Sequence, residues 1–445
     1  MHTTVNFRGF NHRRYHLQCA PEPAYSMNFR TVLVAASLAA SLGFASHGEY
    51  QPGVDRNVSM ALFSDLEELS RIVDISYCTG LIATGISKPF HCWCRCGDFP
   101  HFELVKDWRT GFSMQSDSGG YVALDHHKQR ILVAFRGTIN MAGWLANFGL
   151  SPQEYTPFPG AEDQVSGEVE TGKTAKAKGH VSSCADCTVH TGFYKAWKNT
   201  RPHVLEAVRE HVEQYPQYEL HLVGHSLGAA VAAFAALDFS ARGWEPVITT
   251  FGEPRIGNVA TNRHIDEVFG LNQDPQNYDD HGLRWRRITH TKDPIPLVPP
   301  TEWGYGMHAG EIHIMKPSLS PSVYNLKHCH GAFDEECIAG QDPTYPEKLG
   351  TAMLERKSIW AALAQAIPKL LISIVKWEVP HRYRLWQMFI SHRDYFWRLG
   401  ICVPGGDPTG GGGDFPELEQ WRAERGIVSG QGPLVEVARE VEKEL

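Results

Sequence analysis

The chain has 445 residues, 42% of them hydrophobic and 21% charged, which is the balance of an ordinary globular protein and leaves room for one large domain or two to three average ones. Its formal charge is −8 and it carries no long basic run, which argues against a nucleic-acid partner.

The first readable element is a leader. Met27-Asn-Phe-Arg30 precedes Thr31 to Ala45, an uncharged run of apolar and small residues that ends in Gly43-Phe-Ala45. A basic start, a short apolar core and a small-residue cleavage site are the order of a secretory signal. The run is too short and too rich in Ala and Ser for a membrane-spanning helix. The signal is placed at 27–45 within a leader of 1–46, and the protein is expected to be secreted and extracellular. Residues 1–26 read as an upstream extension of the reading frame, with a long basic region or a genuine amino-terminal tail as the alternatives. Just past the signal, Asn57-Val-Ser59 is a glycosylation sequon in an expected loop.

An oxidising compartment favours disulfides. Cys184 with Cys187 and Cys329 with Cys337 are natural short-loop pairs. His91-Cys-Trp-Cys-Arg-Cys96 invites a metal reading, but Cys-x-Cys spacing suits tetrahedral zinc poorly, so disulfides are preferred and no metal is expected. Cleavage near residue 46 would remove Cys19 and leave nine of the ten cysteines, so one thiol stays unpaired, placed in this cluster. Cys92 and Cys96 are carried as cystine partners, although which of Cys92, Cys94 and Cys96 stays reduced is open.

Leu62 to Cys78 has helical spacing. Tyr121 to Asp125 and Arg130 to Phe135 read as a hairpin around His126-His-Lys128, whose paired histidines suit a turn better than a ligand set. Pro152 to Val189 is polar and Gly-rich, and is expected to be an exposed loop pinned by Cys184 and Cys187. Phe193 to Tyr215 is a long amphipathic helix with Pro202 in its first turn or at a kink. Strand-like Glu219 to Val223, Val247 to Phe251 and Leu283 to Thr289 alternate with helical Leu227 to Ala236 and Val259 to Phe269. That alternation predicts an α/β fold: a mainly parallel sheet with helices on both faces.

Leu220 to Gly228 holds Gly-x-Ser-x-Gly between the predicted strand and helix. A serine in that tight turn projects its hydroxyl where a base can reach it, and the glycines relieve crowding against the next strand. Ser226 is the candidate nucleophile, weighed against a serine that merely caps a helix. Its hydroxyl needs a histidine oriented by a carboxylate. Asp293, just past a strand in Lys-Asp-Pro-Ile-Pro-Leu-Val-Pro-Pro, is the best-placed carboxylate. The residues alone do not choose among His308, His313, His328, His330, His381 and His392. Ile338 to Arg384 contains an apolar helical stretch, Ile359 to Trp377, which is interrupted by Pro368 and Lys369. Residues 403–445 begin Gly-rich, turn charged and read as a mobile tail.

Val133-Ala-Phe-Arg-Gly-Thr138, Val189-His-Thr-Gly-Phe-Tyr194, Gly224 to Gly228, Phe251-Gly-Glu-Pro-Arg-Ile-Gly257, Asp293 to Pro300, Tyr305-Gly-Met-His-Ala-Gly310 and His392-Arg-Asp-Tyr-Phe396 occur in this order. Together they resemble the fungal class 3 triacylglycerol lipase family, over about residues 60–335 and 386–402. The resemblance implies an α/β-hydrolase fold over 47–402, with a helical lid and insertions at 152–189 and 338–385. It implies a triad of Ser226, Asp293 and His392, and an oxyanion hole from Thr138 and the N–H of Leu227. It also implies a bridge from Cys78 to Cys402, and a lid with Ile139, Met141, Trp144, Leu145 and Phe148 on one face, against which stands a buried core helix. The expected activity is secreted hydrolysis of acylglycerol esters at an oil–water interface, through an acyl-enzyme and without a cofactor. It leaves the oligomeric state open. A feruloyl-type esterase of the same fold is the alternative, disfavoured by apolar Trp144, Leu145 and Phe148. A non-catalytic lipid-binding protein stands third.

Overall fold

The computed structural model describes residues 56–79, 85–110, 118–138, 151–157, 184–271, 282–342, 390–403 and 413–427. The leader, the expected lid at 139–148, His381 and all but 338–342 of the insertion at 338–385 lie outside these residues.

The first helix among the described residues, α1 (Met60–Ile75), starts where Ser59 Oγ accepts the Leu62 N–H at 3.1 Å and runs into a 3-10 turn at Ser76–Cys78. Strands β1 (Phe102–Arg109), β2 (Gly119–Asp125) and β3 (Arg130–Phe135) follow as an antiparallel meander. Asp125 fixes the predicted β2–β3 turn, because its Oδ1 accepts the N–H groups of His127 and Lys128 at 3.1 and 3.0 Å.

Next come β4 (Pro152–Glu154), β5 (Thr188–His190), α2 (Thr191–Gln214), β6 (Glu219–His225), α3 (Leu227–Ala241), β7 (Val247–Phe251), β8 (Gly257–Asn258), α4 (Val259–Phe269) and β9 (Trp285–His290). The described chain ends with β10 (Tyr305–Gly306), β11 (Glu311–Ile314), β12 (Leu326–His328) and α5 (Pro416–Glu424). Pro202 lies in the interior of α2, beyond its first turn.

Among the described residues, the main sheet has the order β1-β2-β3-β6-β7-β9-β11-β12. Its centre, from β3 to β11, is parallel; the pairs at either edge are antiparallel. A small sheet, β10-β8-β5-β4, takes both ends of the expected loop at 152–189. Side-chain alternation splits the core in two. Ile131, Val133 and Phe135 pack with α2, α3 and α4 on one face. Leu132 and Ala134 pack with α1 and the segment around Tyr395 and Phe396 on the other. Helices on both faces of a mostly parallel sheet match the α/β-hydrolase expectation.

The described cystines are Cys78–Cys402, Cys92–Cys96, Cys184–Cys187 and Cys329–Cys337, and Cys94 keeps its thiol. One expectation needs correction. Residues 413–427, read as part of a mobile tail, hold α5, which packs on α1. Phe415 and Leu418 are buried, and Arg422 pairs with Glu67 at 3.0 Å. The glycine run and the charges dominate the local composition, but two apolar side chains and one arginine suffice to dock so short a helix.

Candidate active site

The proposed nucleophile sits at the hinge between β6 and α3. Ser226 has φ 59° and ψ −127°, a conformation that a non-glycine residue holds only when its surroundings enforce it. The surroundings do so by close approach. A Cβ on Gly228 would overlap the Phe135 carbonyl of β3, and a Cβ on Gly224 would come within 2.5 Å of the Gly228 carbonyl oxygen. The small helix α3 therefore lies directly against the sheet, with Leu227 to Phe239 buried. Leu227 opens that helix, so its N–H has no intrahelical acceptor and is free for an oxyanion.

Asp293 follows β9 and is buried. Its Oδ2 accepts from His392 Nδ1 at 2.9 Å and from the Tyr395 hydroxyl at 2.6 Å. Its Oδ1 accepts the Ile295 N–H at 2.9 Å and also lies 3.1 Å from His392 Nδ1. Burial alone would raise the carboxyl pKa, but the His392 charge, with the donors from His392, Tyr395 and Ile295, outweighs it and holds Asp293 below the ordinary range. Because Nδ1 faces the carboxylate, it carries the proton and Nε2 is left as the basic nitrogen. His392 Nε2 and Ser226 Oγ are both buried and both lack a hydrogen-bond partner. An imidazole oriented by a carboxylate and a serine hydroxyl are the groups that nucleophilic attack on an acyl carbon needs.

Thr138 follows the end of β3. A Cβ on its neighbour Gly137 would come within 2.9 Å of Ser226 Cβ, so the turn that leads into Thr138 runs against the serine. Leu227 and Gly137, the residue before Thr138, thus flank Ser226 from two elements.

Of the other candidate histidines among the described residues, two are committed elsewhere. His308 meets Glu253 at 3.0 Å and the Ala309 carbonyl at 2.7 Å, and His313 meets Thr289 at 2.8 Å. His328 is buried on β12, and His330 follows that strand.

Three contributors escaped sequence reasoning. His225 stacks on His392 with ring centroids 4.7 Å apart. Its Nε2 donates to the His392 carbonyl at 2.9 Å, so its Nδ1 accepts the Tyr77 hydroxyl at 2.5 Å. Burial, with the neighbouring His392, pulls the His225 pKa down to about 3, which keeps the ring neutral. The Tyr77 hydroxyl also lies against Gly137, where a Cβ would overlap it. Gly252, at φ +62°, has no room for a side chain: a Cβ would lie 2.6 Å from the Tyr395 hydroxyl and 2.7 Å from His392 Cε1. The signal for His225 was its place inside the pentapeptide; Tyr77 gave none.

One acid–sulfur group, Glu311 with Cys329 and Cys337, lies close enough to suggest a cation site. Its two sulfurs are joined in a disulfide, and Glu311 already accepts from Arg287 at 2.9 Å and Thr289 at 2.5 Å.

The family described as lipase (class 3) matches residues 132–303. The chain is 41% identical over 425 residues to the secreted mono- and diacylglycerol lipase 2 of Gibberella zeae, covering 91% of this chain and 96% of that protein. It is 43% identical over 380 residues to lipase A of Sodiomyces alcalophilus, covering 80% and 85%. The crystal structure of Lip2 lipase from Yarrowia lipolytica is similar, with a TM-score of 0.58 at 25% identity, covering 78% of this chain and 97% of that one.

Proposed function

The chain belongs to the fungal class 3 lipase family, and from that premise we propose that it is a secreted acylglycerol lipase working through Ser226, His392 and Asp293. Ser226 Oγ attacks the ester carbonyl carbon while His392 Nε2 takes its proton. The oxyanion is held by the Leu227 N–H and by Thr138. Collapse breaks the bond to the glycerol oxygen, which leaves with the proton from His392. Water, deprotonated by His392, then attacks the acyl-enzyme; the acyl–Oγ bond breaks, His392 returns the proton to Ser226 Oγ, and the fatty acid departs. Asp293 orients the imidazole and balances its charge throughout.

The observation that carries this reading is the Asp293–His392 hydrogen bond, beside which His392 Nε2 and Ser226 Oγ are each buried without a hydrogen-bond partner. The relative spanning nearly the whole chain is named a mono- and diacylglycerol lipase. We therefore put partial glycerides ahead of the triacylglycerols that the family resemblance suggested. The apolar residues Ile139, Met141, Trp144, Leu145 and Phe148, next after Thr138, are proposed as the lid that meets the lipid surface. Turnover of emulsified mono-, di- and triolein tests the substrate order. Ser226→Ala and His392→Asn should each lower kcat by about 10⁴-fold or more. Retention of hydrolysis by Ser226→Ala would refute the mechanism.

A further inference from the structure

Nothing in the chemistry above requires α5, yet α5 reaches the loop that carries His392. We propose that α5 and Glu67 clamp Trp397 and so position the base, which makes Glu67, Trp397 and Arg422 positioning residues. The inference rests on the reading of His392 as the base.

Three residues of α1 and its 3-10 extension hold that loop. Glu67 Oε1 accepts the Trp397 indole N–H at 2.8 Å, Asp74 Oδ1 accepts the Gly400 N–H at 2.9 Å, and Cys78 is bonded to Cys402. Their spacing of seven and then four residues puts them along one side of the helix. Trp397 is also fixed across its faces. The Arg95 guanidinium lies 4.0 Å from a ring centroid while it pairs with Asp74 at 3.3 Å, and Phe415 meets the indole edge-on at 5.6 Å. From α5, Arg422 donates to Glu67 Oε2 at 3.0 Å, so the same carboxylate that holds the indole also holds the helix.

The loop transmits this constraint because it is tied to itself. Arg393 Nε donates to the Leu399 carbonyl at 2.5 Å, the Leu399 N–H donates back to Arg393 O at 2.9 Å, and the Tyr395 N–H donates to Trp397 O at 3.1 Å. A shift of Trp397 is therefore passed to Tyr395 and His392 rather than absorbed between them. Arg71 of α1 also donates to Glu67, at 2.7 and 3.0 Å, and a buried carboxylate carrying two guanidiniums and an indole is a weak source of stability. Fixing geometry is what it does well, and the geometry fixed here is that of the base.

The test uses the full chain with Trp397→Phe, Arg422→Met and the double variant. Trp397→Phe removes the indole N–H and keeps an aromatic ring. Turnover of a soluble nitrophenyl ester is normalised to sites titrated with a fluorophosphonate, and urea unfolding is followed in parallel. The expected result is a fall in kcat of about tenfold for Trp397→Phe and a smaller fall for Arg422→Met, with KM within about twofold. The double variant should fall no further than Trp397→Phe, because both act through Glu67. Lower stability with unchanged kcat per titrated site overturns the proposal, and if Arg422→Met does not fold, Trp397→Phe decides alone. Full turnover by His392→Asn in the same assay overturns the assignment of the base, and the clamp with it; an inactive His392→Asn beside unimpaired clamp variants overturns the clamp only.

Discussion

Tyr395 donates its hydroxyl to Asp293 Oδ2 at 2.6 Å, three residues along the loop from the His392 ring that the same carboxylate holds. This donor favours the ionised carboxylate of Asp293, the form that the proposed mechanism uses. Tyr395→Phe should lower kcat about tenfold and leave KM nearly unchanged, because a hydrogen bond to a charged group contributes about 1.5–3 kcal/mol and only part of that acts in the transition state. Steady-state kinetics on a soluble ester measures it; a wild-type kcat would remove Tyr395 from the machinery.

Gly252 packs directly against His392, the proposed base. Gly252→Ala places a methyl group within 2.7 Å of both Tyr395 and His392, at a φ of +62°. The strained backbone costs about 1–3 kcal/mol of stability, and a displaced imidazole costs about 100-fold in kcat. Comparing urea unfolding with kcat per folded enzyme separates the two. An active, merely destabilised variant would mean that the loop can move aside without harm.

Thr138 tests the oxyanion proposal. Thr138→Ser keeps a hydroxyl and should retain most activity, whereas Thr138→Val keeps shape but loses the donor. Loss of one such donor lowers kcat by about 10²–10³-fold, with the backbone N–H groups as the remainder of the hole. Equal kcat in the Ser and Val variants would leave the side chain no role.

Stability should fall on acidification. Burial pulls His190 and His225 down to about 3 and His313 to about 4. In the unfolded chain these rings take a proton near their ordinary pKa of about 6.5, so between that value and pH 3–4 the unfolded state binds more protons. Each such ring removes about 1.4 kcal/mol per pH unit through that window as pH falls. Asp293, held below its ordinary range, adds a loss in the same direction at lower pH. Urea midpoints at pH 7, 5.5 and 4 should decrease in that order, and a flat profile would mean that these rings are not buried neutral.

Legibility from sequence followed the range of the interaction. Ser226 could be read because strand, turn and helix are contiguous, and the crowding that demands Gly224 and Gly228 is local. Asp293 could be read from its place after a strand. The choice of His392 could not be read from the residues, since its partner lies 99 positions away; it came from the family pattern. Tyr77 and His225 meet across 148 positions and leave no mark in spacing. The tail misled for a related reason. Gly410 to Gly413 set the local impression, whereas what docks α5 is Glu67, 355 residues earlier.

The Cys78–Cys402 bridge separates the stability of that distant contact from its geometry. It spans 324 residues and joins the His392 loop to the end of the first helical segment. Chain-entropy arguments put the constraint on the unfolded state at about 5–6 kcal/mol for a loop of this length, comparable with the whole stability of many domains. In the folded state the same loop is also held by Trp397 on Glu67 and by the Gly400 N–H on Asp74. Replacing both cysteines by serine should therefore shift the urea midpoint sharply downward, while kcat per titrated site at low temperature stays within about twofold, since the loss acts mainly on the unfolded chain. A stable double-serine enzyme with depressed kcat would reverse that division and make the bridge a positioning element.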